Sequence, residues 1–382
     1  MTADLDELIS ARHVVICCGT GGVGKTTTAA VLALEAARRG RNSCVVTIDP
    51  ARRLADALGV EHLTNQPTEI EPELWNGDAG TDIVPGGRLS ALMLDTKSTF
   101  DNLVNRNATS PEQARRILDN TFYRNVSGAL GGTQEYMAME KLHELHDEGG
   151  FDLIVVDTPP TRHALDFLDA PNRLTRLLDN RIFRLLMMPT RAYLRVASVA
   201  VQAFLRTVAR VVGSEVIQDV VAFFRAFEGM EEGFRERAQA VNALLADPRT
   251  AFVLITSPRR DALEEATFFA QRLGTSGQSV QALIVNRVHP SFGEESPAGL
   301  RATAAALRHD PSPAAAHLAL LYDNLADFRE VARLERDHIE NLRATLAGDA
   351  ALAYVPYLAH DVYDFGALHE VGRHLFDTVP VQ

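Results

Sequence analysis

Eight consecutive residues, Gly19-Thr20-Gly21-Gly22-Val23-Gly24-Lys25-Thr26, carry the pattern Gly-x-x-x-x-Gly-Lys-(Ser/Thr). These residue types suit one chemistry. Glycines let the backbone curl until its N–H groups face phosphate oxygens. A helix that starts where the loop ends adds positive potential. Lys25 brings a mobile cation to the β- and γ-phosphates, and the Thr26 hydroxyl offers a ligand to Mg2+. The expected ligand class is therefore a nucleotide. Two carboxylates are candidates for the remaining chemistry. Asp49 ends an apolar run in Thr47-Ile48-Asp49-Pro50-Ala51, and Asp157 ends another in Val155-Val156-Asp157-Thr158-Pro159-Pro160. Asp157 suits a hold on Mg2+ through water, and Asp49 suits orienting or deprotonating an attacking water. Either can instead cap the helix that follows it.

These roles require particular elements around them. Residues 13–18 read as a strand leading into the glycine loop, and 27–39 as the helix leaving it, which is the context the motif needs. Further apolar, β-branched runs lie at 43–48, 89–94, 153–156, 251–255, 282–285 and 353–355. Continuous apolar runs between helical stretches predict a parallel sheet buried on both faces. The expected fold class is α/β: a doubly wound, mostly parallel P-loop NTPase core with a helical subdomain. A carboxylate at the C-terminal edge of such a strand points into the ligand crevice. Residues 1–96, 133–171 and 246–382 are assigned to the core, and 97–132 and 172–245 to the helical subdomain. A loop is expected at 77–87, and helix–loop–helix at 317–346. Within 173–210 eight arginines face one acid, Asp179. That stretch reads either as an ordinary solvated subdomain or as an apolar groove with a basic rim, fit for an apolar client helix or a membrane surface.

Composition excludes several classes. Hydrophobic residues at 46% and charged ones at 23% are those of a globular protein, not a disordered or fibrous one. A net charge of −12 speaks against gripping nucleic acid. The three cysteines, Cys17, Cys18 and Cys44, form no disulfide framework and no zinc spacing, so the expected location is the reducing cytosol, with a peripheral place at the membrane as the variant. The acidic N-terminus is not read as a signal peptide, and no apolar run approaches the ~18 residues of a membrane span. The chain has 35 arginines but three lysines, Lys25, Lys97 and Lys141. Only Lys25 falls in a motif.

At the glycine loop, Thr-Ile-Asp-Pro-Ala and Asp-Thr-Pro-Pro-Thr-Arg-His, the sequence resembles the ArsA/Get ATPases. They form the deviant Walker A branch that also holds MinD, ParA and nitrogenase iron protein. The pattern looks most like the ArsA-like ATPases of actinobacteria. The resemblance spans nearly the whole chain and implies ATP and Mg2+ as ligands and a face-to-face dimer. It implies that Gly21 to Thr27 cradle phosphate, that Asp49 is the water-positioning aspartate of switch I, and that Asp157 opens switch II. That switch continues through Thr158, Pro159, Pro160, Thr161, Arg162 and His163. It implies that Asn286 reads adenine and that Pro356 and Tyr357 belong to the loop covering the base. An amide side chain, donor and acceptor at once, suits an adenine edge.

Four departures stand out. The family's loop lysine that reaches across the dimer is Thr20 here. Switch II carries Arg162 where the family has glycine, which fits a phosphate contact or a surface ion pair. The Cys-x-x-Cys zinc clasp has no match, and neither do the arsenite-binding cysteines, so no zinc or arsenite site is expected. The resemblance thus implies an ATP-hydrolysing dimeric switch acting on a client or membrane partner, as a homodimer or with a paralogous subunit. A catalytically weak regulatory half and an energising subunit for anion or metabolite transport are the alternatives.

Overall fold

A computed structural model describes residues 4–49, 53–76, 84–126, 133–159, 161–179, 214–346 and 350–377. Helix α1 (Leu5–Ala11) leads into β1 (Val14–Gly19), and the glycine loop runs from there into α2 (Lys25–Arg38). Next come β2 (Asn42–Thr47), α3 (Arg53–Ala57), β3 (Thr68–Glu69), α4 (Pro72–Trp75) and β4 (Arg88–Met93). A helical stretch follows: α5 (Thr96–Asn107), α6 (Pro111–Leu118), α7 (Thr121–Val126) and α8 (Thr133–Asp147). After β5 (Leu153–Asp157) come α9 (Thr161–Asp179), α10 (Ser214–Ala226) and α11 (Glu231–Ala246). The chain ends with β6 (Thr250–Thr256), α12 (Arg260–Thr275), β7 (Val280–Val288), α13 (Pro297–Leu307), α14 (Pro313–Thr345), β8 (Ala351–Pro356) and α15 (Phe365–Phe376).

The strands form one sheet in the order β3-β4-β2-β5-β1-β6-β7-β8. All neighbours are parallel except β3, which runs antiparallel to β4. Every residue of β1, β5 and β6 is buried, which explains their uninterrupted apolar runs. The chain builds outward from β1 to one side, returns through β5, and then builds to the other side. Its glycine loop therefore leaves the sheet at the reversal of strand order, where doubly wound folds bind ligands. Register gathers the site: Cys17 pairs with Asp157 and Asp157 with Thr47, while Gly19 pairs with Ile255.

Two clusters cover the sheet's faces. On one face α2 presents Ala29, Ala33, Ala36 and Ala37 beside Val15, Val45 and Val155; small side chains bring this helix close to the strands. On the other, Met139 and Leu142 of α8, Leu244 of α11 and Phe269 of α12 pack on Ile16, Val156 and Leu254. A third cluster lies within the helices. It joins Leu103, Ile117, Tyr123, Tyr136, Phe223 and Phe234 and is rich in ring contacts. Helices α8 and α11 contribute to both of the last two clusters.

All seven apolar runs appear as strands, with ends shifted by a few residues. Strand β3, two residues long, is too short to leave a periodic signal. The described part of the 97–132 stretch, up to Val126, is broken into short helices, with Asp95 and Ser110 capping α5 and α6. The helix–loop–helix expected at 317–346 is instead one helix, α14, of 33 residues. It has no glycine or proline after Pro313, and Arg333 bridges Glu330 and Asp337 one turn to each side. Residues 180–213, which hold most of the arginine-rich stretch, and 77–83 lie outside the described residues.

Gly19 carries a direct test of the β1–β6 register. A Cβ there would sit 2.1 Å from the Ile255 carbonyl oxygen, inside a parallel ladder that cannot yield locally. Gly19→Ala should cost about 1–3 kcal/mol in urea unfolding. An unchanged midpoint would contradict this packing.

Candidate nucleotide site

The loop between β1 and α2 positions the cation. Gly24 occupies the cap of α2 with φ 94°, a left-handed conformation that glycine adopts without strain. A Cβ at Gly24 would also lie 2.2 Å from Asn286 Nδ2. Lys25 begins the helix, is only 8% exposed, and curls back so that Nζ donates to the Thr20 carbonyl at 2.8 Å. Burial lowers its pKa, opposed first by Asp157.

Asp157 is 1% exposed at the end of β5. Its Oδ2 accepts from the Thr26 hydroxyl at 2.6 Å and the Thr47 hydroxyl at 3.0 Å. Burial raises its pKa, against the pull of these hydroxyls and Lys25. Its Oδ1 is buried and has no hydrogen-bond partner among the described residues. Asp49 is half-buried, and its N–H donates to Thr47 Oγ1 at 3.3 Å, so Thr47 links the two aspartates. Asp157 ends β5, four residues before α9 begins at Thr161.

These groups line a cavity of about 640 Å³ that includes Lys25, Thr26, Asp49, Asp157, Asn286 and Tyr357. Its size and mixed polarity suit a small ligand such as a mononucleotide. Gly21, Gly22, Gly24, Thr27, Thr158, Pro159 and Pro356 also face it. Thr20 and Val23 instead line a neighbouring cavity of about 460 Å³, which shares Gly21, Gly22, Arg287 and Tyr357 with the first. Gly19 stays in the sheet. Thr158 donates its hydroxyl to the Cys17 carbonyl at 2.8 Å. Pro160 and the side chains of Thr161, Arg162 and His163 lie outside the described residues. Asn286 donates to the Val23 carbonyl at 2.9 Å, and its Oδ1 has no partner among the described residues. Tyr357 is 62% exposed and stacks on His289, which pairs through Nδ1 with Glu335 at 2.7 Å.

Sequence reasoning missed three contributors. Thr47 gave the best available hint, as a polar residue closing an apolar strand two positions before Asp49. Arg287 donates to the Gly22 carbonyl at 3.1 Å, and Arg53 lines the cavity; neither stood out among so many arginines. The cysteines are free and buried, and burial pushes Cys18 and Cys44 up to about 12, which leaves them as protonated core residues.

The residues fit Mg2+. Among the described residues no group of three His, Cys, Asp or Glu side chains is placed to hold a metal. A cation here would rely on Thr26, on Asp157 and on oxygens of the ligand and water, which is how Mg2+ is usually bound. The unpartnered, buried Asp157 Oδ1 is the acceptor that such a shell would satisfy.

A family model described as "Anion-transporting ATPase" matches residues 12–304. Among similar proteins, "ATPase ASNA1 homolog 1" of Paramecium tetraurelia is 32% identical over 164 residues, 43% of this chain and 45% of that one. "Uncharacterized protein SCO2128" of Streptomyces coelicolor is 29% identical over 288 residues, 75% of this chain and 64% of that one. "ATPase GET3" of Malassezia globosa is 30% identical over 164 residues, 43% and 44% of the two. The chain thus spans less than two thirds of the length of each of these three relatives.

Two measurements check the site. In Asp157→Asn the amide oxygen still accepts from both hydroxyls, but the anion is gone. The Mg2+-dependent part of nucleoside triphosphate affinity should fall about 10- to 100-fold in titrations with and without Mg2+, while Mg2+-free affinity changes little. The second concerns pH. Only the ammonium form of Lys25 attracts phosphate, and its pKa in the folded protein lies below the ordinary lysine value. Tripolyphosphate affinity should therefore begin to fall, as pH rises, before the ordinary lysine range is reached. Calorimetry from about pH 7 to about pH 10 would show this.

Proposed function

The chain belongs to the anion-transporting ATPase family, and on that premise we propose that it is an ATP-hydrolysing switch that works as a dimer. The partner is a second copy or a paralogous subunit, and the nucleotide state sets the grip on a client or membrane partner. One observation carries the reading. Thr26 of the glycine loop, Thr47 two residues before Asp49, and Asp157, which opens switch II, meet on a single carboxylate oxygen at the end of the central strands. That junction joins the phosphate cradle to both segments expected to respond to the γ-phosphate.

The backbone N–H groups of the loop and the start of α2 bind phosphate oxygens. Lys25 exchanges the Thr20 carbonyl for the β- and γ-phosphates. Thr26 and Asp157 would hold Mg2+, which would supply positive charge against the charge that develops in transfer. Asp49 orients water for in-line attack on the γ-phosphate. Asn286 Oδ1 accepts from the adenine amino group, and Pro356 and Tyr357 cover the base. Loss of the γ-phosphate releases the Asp49 and Asp157 segments, an order change of the switch type. No helix among the described residues is long and apolar enough to cross a membrane.

Thr20 favours a second reading, a nucleotide-binding regulatory half with little hydrolysis of its own. A hydroxyl does not neutralise transition-state charge as a cation does. Single-turnover hydrolysis separates the two. In the switch reading, Asp49→Asn lowers the rate by at least about 100-fold with ATP affinity nearly intact. Thr20→Lys raises the rate by at least about 10-fold where two copies associate, as followed by sedimentation with and without ATP. A wild-type rate no higher than that of Asp49→Asn would sink the switch and leave the regulatory half.

A further inference from the structure

Two consecutive side chains at the end of β7 hold two consecutive carbonyls of the glycine loop. Asn286 Nδ2 donates to the Val23 oxygen at 2.9 Å, and an Arg287 guanidinium nitrogen donates to the Gly22 oxygen at 3.1 Å. A regular strand sends neighbouring side chains to opposite faces, so this arrangement needs an irregularity. Arg287 has φ 64°, unusual for a residue with a side chain, and the β7–β8 pairing shifts register between Asn286 and Val288. The strained turn at Arg287 brings both side chains to one loop. Such strain persists where the surroundings impose it, and it clusters at functional sites. Gly24 completes the contact, because any side chain there would occupy the place of Asn286 Nδ2.

The peptide bond gives the clamp its effect. In a planar trans peptide, the carbonyl of one residue points opposite the N–H of the next. Drawing the Gly22 oxygen outward aims the Val23 N–H the other way, and drawing the Val23 oxygen aims the Gly24 N–H. We propose that Asn286 and Arg287 are positioning residues that preset the Val23 and Gly24 amides for phosphate, so that the cradle is formed before its ligand arrives. Donors fixed in advance do not have to be reorganised on binding. Arg287 makes no ion pair among the described residues, and its guanidinium donates to the Gly22 carbonyl. The proposal rests on the nucleotide-binding reading of the same site. It gives Asn286 a task through Nδ2 that is separate from any contact of its Oδ1 with a base.

The test uses the full chain and three ligands: ATP, GTP and inorganic tripolyphosphate, which has no base. Binding is measured by calorimetry for wild type, Asn286→Asp, Arg287→Met and Arg287→Lys, with thermal unfolding of each ligand-free protein as a control for folding. The Asp and Met substitutions each remove a donor to the loop. Each should weaken tripolyphosphate and ATP by a common factor of about 3- to 10-fold, and Arg287→Met should leave the ATP-to-GTP ratio unchanged. Arg287→Lys, which keeps a cationic donor, should recover part of the loss. Tripolyphosphate binding unchanged in both donor-removing variants overturns the clamp, as does a change confined to the ATP-to-GTP ratio. A wild-type protein that binds neither ATP nor tripolyphosphate overturns the nucleotide-binding reading and the clamp with it. Wild type that binds both, beside variants that match it, overturns the clamp alone.

Discussion

A buried ammonium and a buried carboxylate lie under the ends of the same strands, and the rest of the architecture makes their coexistence tolerable. Lys25 and Asp157 are 8% and 1% exposed. Burial pulls the lysine's pKa down and the aspartate's up, while their attraction and the hydroxyls of Thr26 and Thr47 hold the charged forms. This arrangement fixes the topology around it. Strand β5 has to lie between β1 and β2, because Asp157 needs the β2 hydroxyl on one side and the loop after β1 on the other. A one-residue slip of β5 would turn Asp157 to the opposite face of the sheet. The loop has to leave β1 at Gly19, where only a bare Cα fits against Ile255.

Much of this was legible in the sequence because it is local. The glycine loop, its strand and its helix are contiguous, and the seven longer strands announce themselves as apolar runs. Asp49 and Asp157 were recognisable from strand-end position alone. What could not be read was convergence over long sequence distances. Thr47 meets Asp157 across 110 positions, and Asn286 and Arg287 meet Val23 and Gly22 across more than 260. Nothing in the pattern Val285-Asn286-Arg287 signals a left-handed arginine, since that conformation comes from strand pairing and not from residue type. In α14, where a loop was expected, the polar positions are simply the solvated face of one long surface helix.

Helix α8 explains how the sheet and the helical layer hold together. Its one side packs on the strands through Met139 and Leu142, and its other joins the aromatic cluster through Tyr136 and Met137. Between these sides lie buried charges. Glu140 pairs with Arg237 of α11, and Glu144 with Arg106 of α5 and with Lys141. Lys141 has no place in any motif, yet it is 1% exposed. Removing one member of such a set leaves a buried charge without compensation, so the helices around α8 are tied to the sheet by polar contacts as well as by packing.

The unbroken course of α14 has a mechanical consequence. Glu335 sits on this helix at the His289–Tyr357 wall, next to the glycine loop. Pro313 begins the same helix about 33 Å away at 1.5 Å per residue. A rod with no internal joint cannot absorb a rotation along its length. A tilt of about 5° at Glu335 would carry the Pro313 end through about 3 Å over that span. The exposed Leu318, Leu320 and Leu321 near that end would travel with it. The helix is thus a lever that meets the wall of the site at His289 and carries exposed apolar side chains near its other end.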